Sequence, residues 1–196
     1  FERFDEMLGL IEQRFGGLIR RLDWISLGGG IHFTGEGYPL MKLAERLKRF
    51  SDTFGVQVYL EPGEAAITKS TTLEVTVLDT LHNGKNLAIV DSSIEAHMLD
   101  LLIYRQSAKM EPNEGPEEWM VCGKSCLAGD IFGEFRFPHP LKAGDRLSIQ
   151  DAAGYTMVKK NWFNGVKMPS IAIRELDGTL TEVRDFGYDE FAAALS

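Results

Sequence analysis

The sequence predicts an α/β segment followed by a mainly antiparallel β domain, and three observations predict it. Residues 1–60 run helix, strand, helix, strand, the grammar of a parallel sheet. Both early strands stop at glycine-bearing turns, Leu27-Gly28-Gly29-Gly30 and Glu61-Pro62-Gly63. From about Ala66 the apolar period shortens to two, the pattern of half-buried strands.

Each element has its own warrant. Phe4, Met7, Leu8, Ile11, Phe15, Leu18 and Leu22 recur at helical spacing with Glu and Arg between them, predicting an amphipathic helix. No initiator Met or capping residue precedes it, so the expectation is a chain that opens inside a longer polypeptide. Asp23 to Leu27 reads as a short buried strand. A second helix is carried by Leu40, Leu43, Leu47, Phe50 and Phe54, and a second strand by Val56 to Leu60. Motifs at the C-terminal ends of two parallel strands suit the last units of a (β/α)8 barrel. Beyond Ala66, Thr71-Leu73-Val75-Val77 alternates, Asn83-Gly84 supplies a hairpin turn, and Leu87 to Val90 returns. Further strands are predicted at Trp119 to Cys122, Arg146 to Ile149, Tyr155 to Val158 and Ile171 to Leu176, with Asp177-Gly178 as a second hairpin turn. Lys109 to Glu118, holding two Pro and four Glu, reads as an exposed loop.

Composition narrows the function classes. The 196 residues carry 29 acidic against 21 basic side chains, a net charge of -8 that disfavours nucleic acid, whose phosphates need a basic face. A mildly acidic surface suits a cationic substrate. Two cysteines four apart, Cys122 and Cys126, do not make a secreted disulfide framework, so a reducing, cytoplasmic setting is expected. No apolar run approaches the roughly 20 residues of a membrane helix, so no membrane is expected as a partner.

Several residues have chemistry to offer. Gly28, Gly29 and Gly30 would let backbone N–H groups approach an anion, although a tight strand-to-helix turn needs the same residues. Neither Walker nor dinucleotide-fingerprint spacing is present. Glu61 places a carboxylate at a strand end, as a ligand for a cation or as a plain cap. Cys126 could act as a general acid, since a free thiol titrates above neutrality, or could be an inert core cysteine. A Cys-x-x-x-Cys pair is too sparse for zinc without two further ligands, and His32, His82, His97 and His139 lack metal spacing, so no metal is expected.

The stretch Cys122-Gly123-Lys124-Ser125-Cys126-Leu127-Ala128-Gly129-Asp130, followed by Gly154-Tyr155-Thr156 and Phe163-Asn164-Gly165, resembles the C-terminal half of the pyridoxal-phosphate-dependent decarboxylases of the alanine-racemase-like fold. The two glycine turns agree in order and spacing. The resemblance implies the last part of a cofactor-binding (β/α)8 barrel over residues 1–66 and a C-terminal β-barrel or sandwich domain over residues 67–196. It further implies that Gly28, Gly29, Gly30 and Tyr155 hold the phosphate of pyridoxal phosphate, that Gly63 belongs to the cofactor site and that Glu61 holds the ring nitrogen. Cys126 would return a proton after decarboxylation, while Asp130 and His32 would meet the substrate. Many relatives carry Arg after Glu-Pro-Gly; Glu64 stands there instead, leaving more of the phosphate to the amides and Tyr155. Leu127 replaces the acid that amino-acid decarboxylases often carry next to the Cys. These departures are similar to the branch of the family acting on carboxynorspermidine and carboxyspermidine, in polyamine synthesis. Decarboxylation of diaminopimelate, ornithine or arginine, and a noncatalytic regulatory role, stand as alternatives. The resemblance also implies a homodimer with shared active sites, a cationic polyamine-like substrate and a cofactor-anchoring lysine upstream of residue 1.

Overall fold

The computed structural model describes residues 1–195 and divides into two compact units, residues 1–68 and the chain from Lys69 onward. The first unit runs α1 (Glu2–Ile19), β1 (Trp24–Ser26), α2 (Leu40–Phe54) and β2 (Gln57–Tyr59), closing with a 3-10 turn at Glu64–Ala66. β1 and β2 pair in parallel with Ile25 opposite Val58, as a β-α-β unit requires. Its core gathers Leu8 and Ile19 of α1, Leu43 and Phe50 of α2, and Val56. Burial of an aromatic such as Phe50, which is fully buried, contributes about 1.5–3 kcal/mol. Arg46 of α2 is buried, and its guanidinium forks onto Glu12 of α1 through bonds of 2.8 and 2.9 Å while Nε meets Asp5. A desolvated guanidinium needs such partners, so this fork fixes the register of the two helices.

The second unit runs β3 (Leu73–His82), β4 (Asn86–Val90), α3 (Ile94–His97), α4 (Leu99–Tyr104), β5 (Met110–Glu111), β6 (Glu117–Cys122), β7 (Ile131–Phe137), β8 (Arg146–Ile149), α5 (Tyr155–Val158), β9 (Ile171–Arg174), β10 (Leu180–Arg184) and α6 (Tyr188–Ala193). Six strands form one sheet in the order β5-β8-β3-β4-β6-β7, and β9 and β10 form a separate antiparallel hairpin. Ala108 N, just ahead of β5, donates to Phe132 O of β7 at 2.7 Å, so the two edges of the sheet nearly close. The inward faces bury Val75, Val90, Val121, Phe132 and Ile149.

Two expectations are corrected. Tyr155 to Val158 is a helical turn and not a strand: Val158 N and Lys159 N donate to Gly154 O and Tyr155 O at 3.1 and 2.9 Å. Lys159 then reaches Asp100 at 2.6 Å, fastening the turn beside α4. The sheet is mainly antiparallel as expected, with one parallel pair, β4 and β6, among its five pairings. The span Lys109 to Glu118 is not all loop, since Met110 is buried in β5 and β6 begins at Glu117.

Candidate active site

In the first unit, Leu27 N donates to Tyr59 O and Glu61 N donates to Gly28 O at 2.9 Å, continuing the β1–β2 pairing past both strand ends. The glycine turn and Glu61 are therefore tethered to each other. A Cβ at Gly29 would stand 2.4 Å from Glu61 O, inside any contact distance, so only glycine permits this approach. Gly28 and Gly30 take φ of 73° and 80°. Among the described residues the amides of Gly29 and Gly30 donate to no chain acceptor, and both glycines are exposed. Two exposed N–H groups without a chain acceptor beside a strand end are the kind of donors an anion uses. Ser26 Oγ donates to Glu61 Oε1 at 2.5 Å and accepts from Gly28 N at 3.2 Å, fixing the carboxylate against the same turn. Glu61 retains a second oxygen for a cationic partner. Gly63 and Glu64 lie at the exposed start of the 3-10 turn, and His32 is exposed with its carbonyl accepting Gly35 N.

In the second unit, residues 123–130 connect β6 to β7. Asp130 organises this loop from within: it is 3% exposed, Oδ1 accepts Ile94 N at 2.8 Å, and Oδ2 accepts Ser125 N and Ser125 Oγ at 3.0 and 2.6 Å. A Cβ at Gly123 would stand 2.3 Å from both carboxylate oxygens, so glycine is needed there too. The carboxylate is therefore engaged by its own loop and by Ile94 of α3. The loop holds Cys126 outward and exposed, whereas Cys122 is half-buried and its thiol is pushed up by burial and then by the Asp130 charge. Asn164 Nδ2 donates to Cys126 Sγ at 2.9 Å, a contact that sequence spacing did not reveal. Tyr155 opens α5, exposed, with the Lys159 ammonium 4.8 Å from its ring centroid. Cys126, Asp130 and Tyr155 thus share one unit, and Gly28, Gly29, Gly30, His32, Glu61 and Gly63 share the other.

His97 is a second residue whose chemistry the sequence understated. It is buried, Nδ1 lies 2.8 Å from Ser92 Oγ, and Nε2 has no hydrogen-bond partner among the described residues. Burial, reinforced by the Lys124 charge, pushes the imidazole from 6.5 down to about 4. Between those values the unfolded chain takes a proton that the native state refuses. Stability is accordingly full above pH 6.5 and declines as the pH falls toward 4, by about 3 kcal/mol in all. Denaturation at stepped pH should show this slope, and a His97→Leu protein should lose it; an equal slope in both would remove His97 as its source.

Among the described residues there is no group of three or more His, Cys, Asp or Glu able to hold a metal, and no helix long and apolar enough to cross a membrane.

Two exposed amides tied to a strand-end carboxylate, and an exposed thiol on a loop organised by a buried acid, are the groups the two units present. The family described as "Pyridoxal-dependent decarboxylase, C-terminal sheet domain" matches residues 38–153, and the chain belongs to it. It is 61% identical, over all of its length and 54% of the relative's, to carboxynorspermidine/carboxyspermidine decarboxylase of Herminiimonas arsenicoxydans. It is 35% identical to carboxyaminopropylagmatine decarboxylase of a Synechocystis strain, over 95% of this chain and 50% of that protein. The crystal structure of carboxynorspermidine decarboxylase complexed with norspermidine, from Campylobacter jejuni, superposes with a TM-score of 0.92 at 35% identity, covering 98% of this chain and 57% of that one. The chain spans about half the length of the curated relatives it matches.

The residues present fit pyridoxal phosphate. The free amides of Gly29 and Gly30 suit a phosphate, and the Glu61 oxygen left open by Ser26 suits a protonated ring nitrogen.

Proposed function

We propose that the full-length protein is a pyridoxal-phosphate-dependent decarboxylase of carboxynorspermidine and carboxyspermidine, releasing norspermidine and spermidine. The observation that carries this reading is the 61% identity across the whole chain to the Herminiimonas enzyme of that name. Residues 1–66 are read as the last part of the cofactor-binding (β/α)8 barrel and residues 67–196 as the C-terminal β domain. The parallel β1–β2 pair supports this, with Trp24 and Tyr59 exposed on strands that have no further neighbour among the described residues. The enzyme works in the cytoplasm as a homodimer with shared active sites, a setting that suits two unpaired thiols.

When bound, pyridoxal phosphate supplies an electron sink for the bond that releases carbon dioxide. The chain's own groups do the rest. Gly29 and Gly30 donate their amides to the phosphate, with Tyr155 supplying a further contact across the shared site. Glu61 keeps a proton on the ring nitrogen, its carboxylate oriented by Ser26. Cys126 gives its Sγ proton to the carbon that has lost carbon dioxide. Glu64 adds no phosphate clamp, so phosphate affinity rests on the amides. Leu127 keeps a second acid away from the thiol, which fits a long polycationic substrate better than a short one.

Purified full-length protein should be yellow and lose that absorbance with borohydride. Offered equal concentrations of carboxynorspermidine, carboxyspermidine, ornithine, lysine, arginine and diaminopimelate, it should show the highest kcat/KM with one of the first two. A colourless protein that gains no absorbance with added cofactor would overturn the enzyme reading; a higher kcat/KM for diaminopimelate would overturn the substrate.

A further inference from the structure

We propose that Asn164 is a positioning residue for Cys126: its side-chain amide fixes the thiol and stabilises the thiolate left when the proton is given up. This rests on the reading of Cys126 as proton donor. The contact, Nδ2 to Sγ at 2.9 Å, joins residues 38 apart in sequence, so both loops must be anchored for it to exist.

Both are. On the Asn164 side, Asn161 N donates to Ala96 O at 2.8 Å and Asn161 Nδ2 donates to Glu95 O at 2.9 Å, fastening the segment to α3. Asn161 Oδ1 in turn accepts Phe163 N at 2.8 Å, and Gly165 N and Val166 N close onto Trp162 O and Phe163 O. Trp162 packs against Phe186 and Phe191, with ring centroids 6.3 and 5.6 Å away. Asn164 sits in the left-handed region at φ 53° and ψ 23°, a conformation that few residues other than Gly and Asn accept readily. The turn thus holds a left-handed residue whose side chain ends on the sulfur. On the other side, the buried Asp130 carboxylate organises the loop that carries Cys126.

The chemistry follows from the donor. In the proton-transfer step the S–H bond breaks, its electron pair remains on sulfur, and a C–H bond forms with the pair left on carbon by departing carbon dioxide. Water later restores the thiol proton. An N–H aimed at sulfur favours the negative form over the neutral one, so it lowers the free energy of the donor's product state. An amide also gives the sulfur one preferred direction, which sets where the proton is delivered.

The test reads the thiol itself. Full-length cofactor-loaded protein, without substrate, is alkylated with iodoacetamide across a pH series. Modification of the Cys126 peptide is followed by mass spectrometry, with the half-buried Cys122 as internal reference. Asn164→Gly keeps the positive φ and deletes the amide; Asn164→Asp keeps the shape and replaces a donor with a charge. The midpoint of the Cys126 profile should move up by about half to one pH unit in the Gly protein and further in the Asp protein. For the Gly protein kcat should fall about 10-fold with KM nearly unchanged, as loss of an interaction made in the transition state requires. Unchanged midpoints in folded variants would overturn the proposal, and either variant alone decides it should the other fail to fold. A Cys126→Ala protein that retains full activity would overturn the proton-donor reading instead, leaving the alkylation profile to judge the contact by itself.

Discussion

Cys126→Ala in the full-length protein should lower product formation by about 10²–10⁴-fold, the usual worth of a positioned general acid, while the yellow absorbance persists. The persistence matters because the groups read as holding the cofactor, Gly29, Gly30 and Glu61, lie in the other unit. Glu61→Ala should be as inactive, for a different reason. Mixed and allowed to exchange subunits, the two inactive proteins should recover about a quarter of the parental activity, since random pairing makes half the dimers hybrid and each hybrid has one intact site of two. Exchange demonstrated by mass spectrometry without recovery would show that Cys126 serves its own chain.

Asp130→Ala should be the most destabilising single change in the second unit, by about 3–5 kcal/mol. Three donors, Ile94 N, Ser125 N and Ser125 Oγ, would lose a charged acceptor in a buried place where water cannot replace it. Amide exchange is the sharper measurement: protection at Ile94 and Ser125 should fall before protection in the centre of β3. Asp130→Asn should recover only part of the loss, because its NH2 group must face at least one donor. If exchange at Ile94 and Ser125 is unaltered in the Ala protein, the carboxylate is not what organises the loop.

The parts of the fold legible in the sequence were those set by local pattern. The apolar period from Leu40 to Phe54 gave α2 with both its ends, and Asn83-Gly84 marked the β3–β4 hairpin. β7 escaped notice although Phe132, Phe135 and Phe137 all point inward. A bulge opposite Val121 and Cys122 inserts one residue, which breaks the alternation that would have announced the strand. Tyr155 to Val158 misled in the opposite way, since Tyr, Thr and Val favour strands in general and yield here to one helical turn tied to Asp100. The site followed the same division. Glycine turns, Glu61 and the Cys126-to-Asp130 spacing are sequence features. The acceptor role of Asp130 toward Ile94 and the Asn164 contact are not, because each depends on segments that only the folded sheet brings together.

The parallel pairing of β4 and β6 sets an order of events during folding. Such a pair cannot close through a short turn, and the 26 residues between the two strands, from Asp91 to Pro116, must first travel to the far end of the sheet and back. α3 lies on that excursion, and α3 supplies the Ile94 amide that Asp130 binds and the carbonyls that anchor Asn161. The loop bearing Cys126 can therefore mature only after a non-local contact has formed, the kind that is slow to close. Until then Cys122 lies as open to oxidants as the exposed Cys126, so a nascent chain is most vulnerable to a stray disulfide between them in the interval before its crossover docks.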